Sequence, residues 1–162
     1  MSLRRAAILL GVSVLAALPA GAEPPVNFSG TWHLDKTRSV LPASLPSSGD
    51  LTLVIDHQGD TLKIERRAEA MGMHRTVKST LYTDGREASN PAPRGQMILS
   101  KSHWEGKTLV TVSRGTKVTN GETDEATDVK QLAEDGKLLV IDVTYKRPGK
   151  EAERAHSVYV KK

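Results

Sequence analysis

Apolar and polar residues alternate along most of the chain, in short segments separated by glycine-containing turns. The alternation is clearest over residues 61–66 and 73–82, and tight turns occur at Gly59-Asp60, Glu105-Gly106 and Asn120-Gly121. Strict alternation over a few residues is typical of a strand with one buried face. About nine such segments occur, and no helical periodicity of comparable length interrupts them. The pattern therefore predicts an all-β protein.

The turns also predict how the strands are connected. Most contain two to five residues, and consecutive strands joined by short turns are usually neighbours in one sheet. Such a meander can close into a barrel or fold into a two-sheet sandwich, and tight turns favour the barrel. We predict an up-and-down antiparallel β-barrel of eight to nine strands. Residues 35–50 and 86–94 contain prolines and are predicted to be loops, and a bulge is expected at Gly115.

The first predicted strand, residues 27–34, has three positions that could fill one end of the barrel. Phe28, Gly30 and Trp32 lie two residues apart and share a face, because side chains alternate along a strand. Glycine between two bulky rings leaves room for them or for a crossing backbone. We expect this segment to plug one end of the barrel.

The N-terminus has the layout of a secretory signal peptide. Arg4-Arg5 precede an apolar run at residues 6–18, and small residues surround a predicted cleavage site after Ala22. A membrane-spanning helix is the alternative, but the run is shorter than the ~20 residues needed. The sequence thus predicts a signal peptide over 1–22, a β-barrel domain over 23–162, and a secreted or periplasmic location without a further transmembrane segment.

Composition excludes several function classes. Removing Arg4 and Arg5 from the 23 basic residues leaves 21 against 19 acidic ones, a net charge of +2 that does not suggest a nucleic-acid binder. The five histidines are scattered and the chain has no cysteine, so no metal site is expected. No phosphate loop, dinucleotide fingerprint or serine-hydrolase elbow occurs, so we expect no cofactor and no enzymatic activity. The acidic stretch 122–128 is expected to be a solvated strand edge.

Strand parity gives one candidate ligand site. Arg66 falls on the same face as Leu62 and Ile64, and Arg75 and Ser79 fall on the face of Val77 and its apolar neighbours. Two inward arginines are costly unless they are paired or solvated. They could bind an anionic head group such as a carboxylate. The alternatives are that they lie at the rim in water, or that a bulge near Gly72 reverses the parity.

Residues Phe28-Ser29-Gly30-Thr31-Trp32, followed by the strand layout, resemble the lipocalin/calycin β-barrels. The similarity is greatest to small exported bacterial lipocalin-like proteins with an N-terminal Gly-Thr-Trp strand. The resemblance implies a barrel open at one end, a ligand in its lumen, and Trp32 at the other end. It also implies a basic residue of the last strand stacked on Trp32, for which Arg154 is the nearest candidate.

The expected function is non-covalent binding of a small lipophilic or amphipathic molecule. Two alternatives remain at this stage. One is a protein-binding or inhibitory module with a filled barrel, because the chain has few aromatic residues to line a large cavity. The other is an enzyme whose catalytic residues form no recognisable motif.

Overall fold

The computed structural model describes residues 26–41, 49–92, 95–119 and 122–162. The expected signal peptide and the Asn120-Gly121 turn lie outside these ranges. The described chain is almost entirely β-structure, with one short 3-10 turn at Glu134–Gly136. The strands are β1 Gly30–Leu34, β2 Asp50–Gln58, β3 Thr61–Ala70, β4 Met73–Tyr82, β5 Glu87–Ala92, β6 Gln96–Glu105, β7 Thr108–Thr119, β8 Glu122–Ala133, β9 Leu138–Lys146 and β10 Glu153–Lys161.

All ten strands belong to one antiparallel sheet in the order β4-β3-β2-β1-β10-β9-β8-β7-β6-β5. The first and last strands of the chain are neighbours, so the sheet curls into a nearly closed barrel whose seam lies between β4 and β5. At the seam, where β4 and β5 do not pair through their backbones, the Asn90 side chain of β5 bonds to the backbone of β4. Its Oδ1 accepts from Thr80 N at 2.7 Å, and its Nδ2 donates to Thr80 O at 2.8 Å. The predicted all-β barrel is confirmed.

The described residues form ten strands rather than the eight to nine predicted, and the additional strand is β5. Residues 86–94 were predicted to be a loop because they contain Asn90-Pro91 and Pro93. Pro91 is compatible with a strand because β5 pairs with β6 on one side alone and forms an edge. The expected irregularity near Gly115 is confirmed as a register shift between Arg114 and Val118 in the β7–β8 pair.

The core lies at one end of the barrel, here called the closed end, around the segment before β1. The Phe28 ring stacks on His57 at 5.9 Å and on Trp104 at 5.8 Å between centroids. Trp32 is fully buried, and its Nε1 donates to Phe28 O at 2.9 Å. Leucine and isoleucine side chains from β2, β3, β4, β7 and β9 complete this core. Apolar burial of this kind is the main source of stability in a domain without disulfides.

Gly30 is required by its backbone and by its surroundings. Its φ of +146° is a conformation that other residues rarely adopt. A Cβ at this position would lie 2.8 Å from Lys161 Cε. The glycine between Phe28 and Trp32 therefore admits the β10 side chain that crosses the end of the barrel.

Residues 35–40 fasten β1 to β10. Asp35 accepts hydrogen bonds from the Thr37 and Arg38 backbone N–H groups and pairs with the Arg38 side chain. Ser39 Oγ accepts from Val158 N at 2.9 Å, and Val40 forms two backbone bonds with His156. This turn thus covers the outer side of β10, where Val158 is buried.

Candidate functional site

The inward face of the barrel changes character along its length. At the closed end, inward side chains such as Leu62 and Leu109 are fully buried. Toward the opposite end, apolar side chains on the same face reach solvent: Val77 is 40% exposed and Ile98 is 38% exposed. We call this second region, containing the inward positions of β3 and β4 from Arg66 to Val77 together with Ile98, the open half.

Arg66 lies on the inward face of the open half. It pairs in register with Leu53, which is buried in the core, and with Val77. The predicted parity therefore holds along β3, and no bulge reverses it before the Met71-Gly72 turn. Within the described part of the chain, the Arg66 guanidinium forms no ion pair, and the residue is exposed to solvent. A guanidinium in this position can accept an anionic partner without breaking an existing bond.

Two tyrosines belong to the surroundings of Arg66. Burial raises the pKa of Tyr145 and of Tyr159, and the positive charge of Arg66 opposes that rise at both residues. Tyr145 is on β9 and Tyr159 on β10, and both side chains face inward. The charge of Arg66 therefore acts across the interior of the barrel on both phenols.

Arg75 and Ser79 share the inward face of β4 but occupy different places. Arg75 pairs with Ala68 near the tip of the β3–β4 hairpin and is exposed. Ser79 pairs with Ile64 and lines a groove of about 460 Å³ that reaches Asn90 at the seam. The structure therefore brings Arg66 and Arg75 to one open half and places Ser79 beside the seam.

The cation over Trp32 is Lys161, with its Nζ 5.1 Å from the ring centroid. Arg154, the residue expected there, pairs with Thr144 and lies beside Val40 and His156 on the outer side of β10. The reason is strand parity. Lys161 is opposite Trp32 in the β1–β10 register, whereas Arg154 is an odd number of residues away and faces outward. The other three members of the expected plug, Phe28, Gly30 and Trp32, lie together at the closed end.

A partly buried ion pair on the inward face was missed by sequence reasoning. Lys130 and Asp128 of β8 are on the inward face, and Lys130 Nζ donates to Asp128 Oδ1. Asp128 had been assigned to a solvated acidic edge together with Asp124 and its neighbours. The available signal was parity: Asp128, Lys130 and Leu132 alternate, so Leu132, which packs against the core, places both charged residues on the inward face.

Two chemical features are absent from the described part of the chain. Among residues 26–41, 49–92, 95–119 and 122–162, no three histidine, aspartate or glutamate side chains come together as a metal site. Over the same residues, no helix has the length and hydrophobicity required to cross a membrane.

Comparison with known proteins identifies the fold and leaves the family open. No protein-family model matches the chain, and no curated protein matches it. Solved structures do match. One is described as the REP1-NXSQ fatty acid transporter, with 11% sequence identity and a TM-score of 0.55. The alignment covers 83% of this chain and 96% of that one. The chain therefore has the β-barrel fold of that transporter, and its own open half defines the candidate site.

Proposed function

We propose that the protein binds a small amphipathic molecule non-covalently at the open half, as a lipocalin-like carrier without catalytic activity. The observation that carries the proposal is Arg66, an exposed inward guanidinium with no ion pair among the described residues. Exposed Val77 and Ile98 lie on the same inward face and offer apolar contact. Cationic and apolar groups side by side suit a ligand with an anionic head and an apolar body.

The fatty-acid transporter with the same fold supports this proposal by analogy alone, because a shared fold does not imply a shared ligand. The specific argument comes from this chain. The charge of Arg66 acts on Tyr145 and Tyr159, whose hydroxyl groups are hydrogen-bond donors. Arg75 adds a second positive charge on the same face. A carboxylate placed beside Arg66 would thus meet charge and donors together.

The test is isothermal titration calorimetry of the purified protein with laurate and with lauryl alcohol. We expect laurate to bind more tightly than the alcohol. Replacing Arg66 with Gln should weaken laurate binding by roughly 10- to 100-fold, because hydrogen bonds to charged groups contribute about 1.5–3 kcal/mol. The alcohol should bind equally to both proteins.

Arg67→Gln is the matched control. Arg67 is next to Arg66 in β3 but faces outward, where its Nε is 2.6 Å from Glu65 Oε1. This variant should bind laurate as the unmodified protein does. Equal losses in the two variants would mean that general surface charge attracts the ligand, and absence of laurate binding to the unmodified protein would refute the proposal.

A second candidate function is binding of a protein partner through the β3–β4 hairpin. Met71 is 91% exposed and Met73 is 69% exposed at its tip, which is unusual for large apolar side chains. Native mass spectrometry of protein purified from its own host separates the two functions. A bound small molecule supports the carrier, and a bound polypeptide supports the alternative.

Export is part of the proposal and rests on residues 1–22. Their basic start, apolar middle and small residues before Glu23 fit a cleaved signal peptide. The intact mass of the protein from its host should correspond to a chain that begins at Glu23. A mass that retains residues 1–22 would refute export by cleavage.

A further inference from the structure

The inward face of the barrel has a polar wall that the binding of a plain alkyl chain does not explain. It is formed by side chains of three consecutive strands, β6, β7 and β8, in which β7 pairs in register with β6 on one side and with β8 on the other. The members are Ser100, Ser102, Thr111, Ser113, Asp128 and Lys130. We refer to these six residues as the polar wall.

The rest of the inward face, including β9, which pairs with β8, has a different composition. Inward positions of β2, β3 and β9 include Leu53, Ile64 and Val143, which belong to the hydrophobic core or pack against it. Arg66 follows Ile64 on the inward face of β3, toward the open half. The interior therefore combines apolar positions with one hydroxyl- and charge-bearing wall.

The hydroxyl groups of the polar wall are paired with one another across β6 and β7. Ser100 Oγ is 2.8 Å from Ser113 Oγ, and Ser102 Oγ is 2.9 Å from Thr111 Oγ1. A hydroxyl can donate one hydrogen bond and accept two. Each pair uses one proton and one lone pair, so each retains donor and acceptor capacity. Ser113 is partly exposed, and the Ser100–Ser113 pair therefore lies at the border of the open half.

Within the part of the chain that the structure describes, Lys130 has more hydrogen-bond donors without a protein acceptor than either hydroxyl pair has. Its ammonium group has three N–H donors, and among the described residues Asp128 is its one hydrogen-bond acceptor. Lys130 is 4% exposed, so its other two donors lie within the barrel rather than at the surface. Buried donors without acceptors cost free energy, and a buried ion pair by itself is often no more stable than apolar packing. An acceptor brought by a ligand would satisfy these donors.

We propose that the physiological ligand carries a hydroxyl or carbonyl group along its body, in addition to an anionic head, and that the polar wall binds this second group. The inference rests on the proposed function, because it takes Arg66 as the site of the head group. A plain alkyl body against the polar wall leaves the Lys130 donors unpaired. A hydroxyl or carbonyl oxygen accepts from them, and a hydroxyl also donates to Asp128 or Ser113.

The test compares matched ligands by calorimetry: oleate with ricinoleate, which adds a mid-chain hydroxyl, and palmitate with ω-hydroxypalmitate. We expect at least one hydroxylated acid to bind about tenfold more tightly than its parent, a typical effect of one well-placed hydrogen bond. In the double variant Asp128→Asn/Lys130→Met, this preference should disappear while the parent acid binds within about twofold of its original affinity.

A second variant keeps the test decisive if the buried pair is needed for folding. Ser100→Ala/Ser113→Ala removes both partners of one hydroxyl pair, a change that leaves no group unsatisfied. It should reduce the preference for the hydroxylated acid. Thr127→Ala, an exposed position beside Asp128 in β8, is the control and should not change it.

The other outcomes refute either the inference alone or the proposed function together with it. Equal binding of parent and hydroxylated acids by the unmodified protein refutes the inference and leaves the proposed function standing. A preference that survives in both the Asp128/Lys130 and the Ser100/Ser113 variants also refutes it. Failure of all four acids to bind refutes the proposed function and the inference with it.

Discussion

The closed end and the open half of this barrel follow the same rule of alternation and use it differently. β3 passes through both. Leu62 is fully buried at the closed end, and Arg66, four residues and ~13 Å further along the same face, is exposed. The inward face is therefore not equivalent to the core. Only the closed end is packed, and the open half presents the same face to solvent.

The difference in packing between the two regions means that different residues determine stability and ligand binding. At the closed end, Trp32, Phe28 and Trp104 are held by packing and by the Trp32 Nε1 bond to Phe28 O. At the open half, Arg66 and Arg75 form no ion pair within the described part of the chain, so no contact that stabilises the fold depends on their charges. We expect substitutions in the aromatic core of the closed end to change the free energy of unfolding, and substitutions at the open half to change ligand affinity.

The largest expected effect is that of Trp32→Ala at the closed end. Loss of a fully buried indole should lower the free energy of unfolding by ~3–5 kcal/mol, because surrounding strands cannot collapse into the space. Val77→Ala, at an inward position of the open half, should cost less than about 1 kcal/mol since the side chain is already exposed. Urea denaturation measures both. Similar losses for the two variants would mean that the open half is packed in solution.

Sequence reasoning was most successful where one rule decided the outcome. Alternation predicted the strands, the inward direction of Arg66 and the grouping of Phe28, Gly30 and Trp32, because a period of two is set by backbone geometry. It failed at β5, where Pro91 indicates a loop unless the strand is known to be an edge. Edge position depends on the closure of the sheet, which no local pattern contains.

The errors at Arg154 and Asp128 have a related cause. Identifying the cation over Trp32 requires the β1–β10 register, and Lys161 is opposite Trp32 only because the first and last strands pair. Asp128 was assigned from a run of charges, although its alternation with Leu132 indicated the inward face. The open half itself could not be predicted, since exposure of inward residues depends on how far packing extends from the closed end.

An intermediate effect concerns His57 at the closed end. Its Nδ1 accepts from Phe28 N at 3.3 Å, and burial lowers the pKa of His57 from its ordinary 6.5. The unfolded chain therefore takes up a proton at a higher pH than the folded chain does. Stability from this group is complete above pH 6.5 and is lost as the pH falls through 6.5 toward the lowered pKa.

Urea midpoints measured between about pH 7.5 and pH 5 should show this loss. His57→Gln should give a flatter profile over that range, since no ring titrates there. The carboxyl groups of Asp35, Glu65 and Asp84, whose pKa values are lowered, start from ordinary values of 4.5 or less and act at lower pH. A decline of equal size in the variant would assign the pH dependence to other groups and remove His57 from the account of the closed end.

The smallest expected effect comes from the cation at the closed end. Lys161→Met keeps an apolar stem across Gly30 and removes the charge over Trp32, which at an exposed site contributes about 0.5–1 kcal/mol. Arg154→Met removes a charge of the same sign from the outer side of the same strand and should leave the free energy of unfolding unchanged within error. Paired denaturation curves measure the free energy of unfolding of the two variants.

If Arg154→Met destabilises the protein as much as Lys161→Met does, loss of any positive charge from β10 explains both results. A specific contact at the closed end predicts a loss for Lys161 alone, because the attraction between a cation and an indole requires the cation to lie over the ring.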